Sequence, residues 1–366
     1  MALDHARDYF SNARFDPLDL AHTTPTLFFT RWITHFCAPV ALSSWRARGR
    51  FSRAPGGGRN GSSPRFLWTR GLWLVVVEVT IVSFGWSFDF GLHDIALQVI
   101  WAIGWSMVVL AVLVHLPTAA DRRDRARDHR PAQSSRSDPP GRFGSFDWLW
   151  KIVHVQSWTP IASPGGHRFM LVYPLVPWIG VMAAGYAFGS VFTWEAARRK
   201  RFPAFCGSGL VLLFVVLRWS NAYGDPHPWT VQKNGLYTFL SFVNCEKYPP
   251  SLLYLLMTLG PAILLLALLE RPAGPDGVQG VRVRPGAVLL LRAPHPPHPR
   301  DGRRGFYAKY GPAVFGYGMN NPPPPDFGFG LPLVYLFWAI AVVTSPALLW
   351  FAGLKARRRD VWLSYL

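Results

Sequence analysis

The chain has 366 residues, of which 50% are hydrophobic, 15% aromatic and only 16% charged, with a mean hydropathy of +0.15. Lys and Arg number 38 against 20 Asp and Glu, so the formal net charge is +18. This composition argues against a soluble enzyme and favours a membrane protein. Three widely spaced cysteines predict neither a disulfide framework nor a zinc site.

Six apolar stretches are long enough to suggest membrane spans, since a bilayer core of roughly 30 Å needs about 20 apolar helical residues. In chain order they are 72–88, 95–116, 169–194, 203–217, 251–269 and 331–354. Soluble buried helices explain one or two such stretches but not six. The predicted fold class is therefore all-α, a polytopic transmembrane helix bundle with six intact spans.

The domain prediction is a single integral membrane domain over 1–366. Residues 1–40 form an external start and a partial span, which contains Arg31 and His35 and breaks off near residue 42. The spans fall within 72–116, 169–219, 251–269 and 331–354. Because Met1 opens directly into span-end sequence, we expect a further helix to precede it.

Three segments, 41–65, 118–142 and 271–304, have a different composition, rich in Arg, Pro, Gly and Ser. They carry +6, +3 and +5, which is +14 of the net +18 and leaves +4 for the rest. One interpretation is disordered basic loops, and a second is a patch for nucleic acid or anionic lipid. The lack of interleaved aromatic residues argues against nucleic acid. A third interpretation is coding sequence translated in the wrong frame.

The distribution of basic residues favours the third interpretation. With six spans, the patch 198–201 falls on the side opposite the basic residues at 46–70 and 357–359, against the positive-inside rule. If each segment replaced a helix, all of these basic loops become cytoplasmic. Loss of those helices predicts impaired activity in this chain, because backbone groups stay unsatisfied in lipid.

Several stretches resemble the bacterial branch of the heparan-alpha-glucosaminide N-acetyltransferase catalytic-domain family. They are MALDHARDYFSNARFDPLDL, TPTLFFTRWITHFCAPV, LQVIWAIGWSMVVLAVLVHLP, YPLVPWIGVMAAGYAFG, NCEKYPPSLLYLLMTLGPAILLLALLER and WFAGLKARRRDVWLSYL. The resemblance implies a multi-pass protein of the bacterial cytoplasmic (inner) membrane. It implies acetyl transfer from acetyl-CoA, as donor substrate, to an amino sugar or related small-molecule or glycan acceptor. We expect no metal and no nucleic acid, and the lipid bilayer as partner.

Imidazole suits such a transfer, because its ordinary pKa lies near the working pH. His5 is the first catalytic candidate, with Asp8 three residues later on the same helical face to orient it. The other catalytic candidates are His22 and His35. Each also has a plain structural interpretation, as an interfacial residue or a polar contact between helices.

Arg31, Lys247 and Tyr248 are the candidate substrate-binding residues. Arg31 lies four residues before His35 in an apolar run, and Lys247 and Tyr248 belong to a polar turn, NCEKYPP, before a helix. Tyr248 is equally well explained as an interfacial anchor. The alternative function, from another class, is a transporter or a non-enzymatic membrane protein; solute flux without acetyl-CoA would favour it.

Overall fold

The computed structural model of the chain describes residues 2–13, 15–43, 64–87, 89–114, 147–162, 165–269, 308–312 and 327–344. Most of these residues are helical. The helices are α1 (Ala2–Phe10), α2 (Pro25–Trp32), α3 (Cys37–Ser43), α4 (Pro64–Val77), α5 (Ser83–Ser87), α6 (Val99–Leu113), α7 (Asp147–His154), α8 (Leu175–Phe188), α9 (Ala196–Ser220), α10 (Gly235–Val243), α11 (Leu252–Leu269) and α12 (Leu331–Thr344). The strands are β1 (Asp94–Leu97), β2 (Ser157–Ala162) and β3 (Arg168–Leu171).

Four helical stretches in the described part of the chain are long and apolar enough to cross a bilayer. They are Pro64–Ser87, Leu175–Phe192, Ala196–Ser220 and Leu252–Leu269. They correspond to the predicted spans 72–88, 169–194, 203–217 and 251–269. The protein is thus mostly helical, and the described residues contain four of the six predicted membrane spans as helices long enough to cross a bilayer.

The two remaining predicted spans are described only in part, and the described residues of each include one helix. The stretch 95–116 yields α6, with 15 residues, and 331–354 yields the 14 residues of α12, with 345–354 outside the described residues. The partial span 27–42 forms α2, a 3-10 turn over Ile33–Phe36, and α3. The three unusual segments lie almost entirely outside the described residues. These residues include nothing of 118–142 or 271–304, and of 41–65 only the helical residues 41–43 and 64–65.

A small sheet departs from the all-α expectation. β3 lies in the middle, parallel to β1 and antiparallel to β2. Ile95 pairs with Phe169, so the residues that open two predicted spans are strands instead. Short apolar runs fit a strand as well as a helix, and pairing between distant segments decided the outcome here. Arg168 also donates two hydrogen bonds to the Asp94 carboxylate, at 2.7 and 2.6 Å.

The described residues divide into two compact units. The first takes its residues from 1–37, 230–244 and 281–366, and the second from 38–229 and 245–280. In the first unit, the Tyr237 hydroxyl donates to the Thr23 carbonyl at 3.0 Å and the Trp32 indole donates to the Val243 carbonyl at 3.2 Å. These bonds hold α2 against α10.

Within the second unit, glycines allow two helix pairs to approach closely. Gly71 of α4 faces Gly104 of α6, where an added Cβ would lie 2.6 Å from the partner's carbonyl oxygen. In α9, a Cβ on Gly207 would lie 2.8 Å from the Leu264 backbone nitrogen and 3.0 Å from the Gly260 carbonyl oxygen in α11. Small residues at crossings are typical of membrane helices, where close backbone packing drives association.

Glu78 lies fully buried inside a candidate span, in a π-helical turn over Glu78–Val82. Its Oε1 accepts a hydrogen bond at 2.9 Å from the backbone N–H of Gln98, the residue that caps the start of α6. A carboxylate beside a helix N-terminus is favourable because the exposed N–H groups carry partial positive charge.

We predict that Gly207→Ala lowers the free energy of unfolding by about 1–3 kcal/mol, because the new methyl forces α9 and α11 apart. Gly209 provides the matched control, since a Cβ there meets nothing within 4 Å. Gly209→Ala should leave stability unchanged or raise it by about 0.5–1 kcal/mol through helix propensity. Unfolding by SDS in mixed micelles measures both variants. Equal effects of the two substitutions would show that the close crossing is not required.

Candidate functional site

Charged side chains of the first unit meet where α1 packs against α2, in an arrangement that we call the His5 cluster (Asp4, His5, Arg7, Asp8 and Arg31). Arg7 donates from Nη1 to Asp4 Oδ1 at 3.1 Å and from Nη2 to Asp8 Oδ1 at 2.8 Å. Arg31 Nη1 lies 3.0 Å from Asp4 Oδ2. Helical spacing of three and four residues brings Asp4, Arg7 and Asp8 to one face of α1.

Charge is balanced in this cluster although it is largely removed from water. Asp4 and Arg7 are buried and the side chain of Arg31 is 17% exposed, whereas that of Asp8 is 40% exposed. Two carboxylates face two guanidinium groups, so their formal charges sum to zero. Pairing of this kind is what allows ionised groups to be buried, because an isolated buried charge costs several kcal/mol.

His5 is half-buried within this cluster. Burial lowers the pKa of His5 below its usual 6.5, and this outweighs the nearby carboxylates of Asp8 and Asp4, which act in the opposite direction. The Arg31 cation lowers this pKa further. The imidazole is therefore neutral at pH 7, the form that can accept a proton or attack a carbonyl carbon.

The structure brings three of the predicted residues, His5, Asp8 and Arg31, into one cluster. Asp8 influences His5 electrostatically and accepts its hydrogen bond from Arg7. Asp4, which the sequence left without a role, joins the two arginines.

The other two candidate histidines have different surroundings. The side chain of His22 is 67% exposed, and its Nδ1 lies 2.7 Å from Asp19 Oδ2. This hydrogen bond lowers the pKa of Asp19. His35 is fully buried in the 3-10 turn that follows α2. His22 is thus a solvent-facing residue, and His35 lies in the interior of the first unit.

In the second unit, a network of charges organises the loops at the ends of α9 and α11. Arg218 Nη1 donates to the His227 carbonyl at 2.8 Å and lies 3.8 Å from Asp225 Oδ1, with both side chains almost fully buried. Asp225 accepts the backbone N–H groups of His227 and Glu246, each at 2.9 Å. Glu246 Oε2 lies 3.2 Å from His227 Nε2. The sequence analysis missed this network; a charge at the end of an apolar stretch, Arg218, was the available signal.

The network positions Lys247 and Tyr248, the predicted substrate-binding residues. Glu246 Oε1 accepts the backbone N–H of Tyr248 at 2.9 Å. The ammonium of Lys247, a buried residue, lies 4.9 Å from the centroid of the Tyr248 ring. The hydroxyls of Tyr173 and Tyr248 are 3.5 Å apart. Lys247 and Tyr248 thus lie beside a second tyrosine, and their own unit is not that of the His5 cluster.

Cys245 precedes this loop and is almost fully buried. Burial raises the pKa of its thiol to about 12. Because the thiolate is the nucleophilic form of cysteine, Cys245 is not a nucleophile at neutral pH. The imidazole of His5 is the better candidate for the reacting base.

Among the described residues, no three His, Cys, Asp or Glu side chains are arranged to hold a metal ion. The chain matches no family model, no curated protein and no solved structure. The functional interpretation therefore depends on the geometry of the His5 cluster and of the network around Arg218.

We predict that Asp225→Asn lowers the free energy of unfolding by about 3 kcal/mol, the lower end of the range for breaking a buried ion pair. The amide keeps an acceptor oxygen for only one of the two backbone N–H groups, which the carboxylate binds through separate oxygens, and it removes the negative charge that faces Arg218. Asp16→Asn is the matched control, because Asp16 is exposed and its Oδ1 accepts the Leu18 N–H, a bond that an amide also accepts. Titration with SDS measures both, and similar stabilities would contradict the prediction.

Proposed function

We propose that the protein is a multi-pass acyltransferase of the bacterial cytoplasmic membrane. It transfers an acetyl group from acetyl-CoA to the amine of an amino sugar or a related envelope acceptor. The single observation that carries the proposal is His5, a half-buried imidazole whose pKa is lowered by burial, beside the paired charges of Asp4, Asp8, Arg7 and Arg31.

The chemistry needs one group that takes a proton and then returns it. Neutral His5 accepts a proton from the acceptor amine while the amine nitrogen bonds to the acetyl carbonyl carbon. The thioester C–S bond then breaks, and the thiolate of coenzyme A takes the proton from the imidazolium. The net change is an amide and a thiol formed from an amine and a thioester, with no other reactant.

The neighbours of His5 suit this cycle. The carboxylates of Asp8 and Asp4 stabilise the imidazolium when it forms, as shown by the direction in which each moves the His5 pKa. Arg31 remains partly exposed and offers a cation to an anionic part of a substrate. Lys247 and Tyr248 are proposed as acceptor contacts, since they present a cation and a phenolic hydroxyl on a loop fixed by the Arg218 network.

The resemblance of the quoted sequence segments to the heparan-alpha-glucosaminide N-acetyltransferase catalytic-domain family supports this choice over a transporter. Four long apolar helices suit a multi-pass enzyme of that kind. Both proposed functions place the protein in a membrane, and they differ in whether acetyl-CoA is consumed.

We predict that His5→Ala lowers the rate of acetyl transfer at least 100-fold, the usual contribution of a general base. The assay uses membrane vesicles, acetyl-labelled coenzyme A and glucosamine. Because the sequence predicts impaired activity for this chain, a version with the frame restored across 41–65, 118–142 and 271–304 is measured beside it. His22→Ala is the comparison variant, and its exposed imidazole should be dispensable.

Two outcomes would count against the proposed function. Undiminished transfer in His5→Ala would remove His5 from the reaction, and loss in His22→Ala alone would assign the reaction to His22. Solute flux that needs no acetyl-CoA, with no labelled product, would favour a transporter.

The lowered pKa of His5 predicts the pH dependence of transfer. Protonation removes the basic form, so kcat/KM should fall as the pH drops through the pKa of His5, and this acid limb should lie below pH 6.5, the ordinary value. In His5→Ala the limb should disappear from any residual rate. A rate measured from pH 5 to 8 tests this, and an acid limb centred above pH 6.5 would contradict it.

A further inference from the structure

The first turn and a half of α9 carries a basic patch at the end of a candidate span. Four consecutive cations, Arg198 to Arg201, face a single acid, Glu195, so residues 195–201 carry a net +3. α9 has 25 residues, about 38 Å of helix, whereas the apolar core of a bilayer is roughly 30 Å thick. The basic residues therefore lie at headgroup depth when the apolar part of α9 spans the core.

A cleft of about 430 Å³ opens beside this patch. It is lined by two arginines, two phenylalanines, an alanine and an acid: Arg198, Arg201, Phe202, Phe205, Ala197 and Glu195. The Arg198 guanidinium lies 4.2 Å from the centroid of the Trp194 ring, and the Phe202 ring lies 5.0 Å from Trp194. Aromatic packing thus fixes one arginine and one phenylalanine at the rim of the cleft.

An apolar stripe continues from the cleft along the exposed side of α9. Phe205 is 79% exposed, and Leu212, Val216 and Trp219 follow it at helical spacing, all more than half exposed. Exposed apolar side chains on a span face acyl chains. The stripe ends at a tryptophan, a residue enriched at membrane interfaces.

We propose that this cleft binds an anionic phospholipid. Arg198 and Arg201 hold the phosphodiester, and one acyl chain lies along Phe205 and the stripe below it. The cleft matches a lipid in both charge and polarity. Its arginines lie at the depth of the lipid headgroup, and its apolar surface begins where the acyl chains begin. In the topology in which helices replace the three unusual segments, the patch faces the cytoplasmic leaflet, where anionic lipids attract basic segments.

A soluble phosphate compound would use only half of this surface. Its phosphate would meet the arginines, but the exposed Phe205 and the stripe would have no counterpart. A lipid satisfies both, and this favours it over coenzyme A or inorganic phosphate as the occupant. The proposal does not depend on acetyl transfer, since none of these residues belongs to the His5 cluster.

The test measures lipid retained by the purified full chain, transferred from micelles that contain equal phosphatidylglycerol and phosphatidylcholine. Native mass spectrometry counts both lipids on the wild type, Arg198→Gln and Arg201→Gln. Lys233→Gln is the matched control, because Lys233 is also an exposed cation over an aromatic ring, 3.7 Å from the centroid of Tyr237. Glycerol phosphate and coenzyme A are added as soluble competitors.

We expect the wild type to retain phosphatidylglycerol in preference to phosphatidylcholine. Each arginine variant should lose about fivefold in that preference, whereas Lys233→Gln should match the wild type. Soluble phosphates should not displace the lipid. Equal retention of the two lipids, arginine variants that behave like Lys233→Gln, or displacement by coenzyme A at the lipid's own concentration would each overturn the proposal.

Discussion

Burial of charge beside apolar helices is the constraint on which the described structure depends. Removing an ion from water costs several kcal/mol unless an opposite charge or hydrogen bonds replace the solvent. Asp4 meets this cost by joining Arg7 and Arg31, and Arg218 meets it through Asp225 and a carbonyl oxygen. These contacts fix polar groups at defined positions near the membrane, which is what chemistry on a polar substrate requires.

The same constraint applies to each of two groups of charged residues, and each group lies within its own unit. In the first unit, a helix of only nine residues carries three ionised side chains on one face, and α2 supplies the fourth. In the second, a loop is fixed by acids that accept backbone N–H groups, so Lys247 and Tyr248 occupy set positions. His5 offers a neutral base, and the loop offers a cation and a hydroxyl.

The sequence predicts those features that come from local pattern. Four spans follow from length and apolarity alone, and the i, i+3 spacing of His5 and Asp8 placed them on one face. The strands at 94–97 and 168–171 could not be predicted in this way, because their pairing joins residues 74 positions apart. Asp225 was missed for a related reason, since nothing in its exposed-looking loop indicates that it is buried beside Arg218. A periodic pattern in the sequence does not indicate which distant segments pair.

The parallel pairing of β1 with β3 also determines the direction of the chain. Each of these strands leads directly into a helix, β1 into α6 and β3 into α8. Both helices therefore begin near the same edge of the sheet. Parallel strands cannot be joined by a tight hairpin, so the chain between Leu97 and Arg168 is a crossover connection. The sheet therefore places the starts of two helices side by side although they are distant in the sequence.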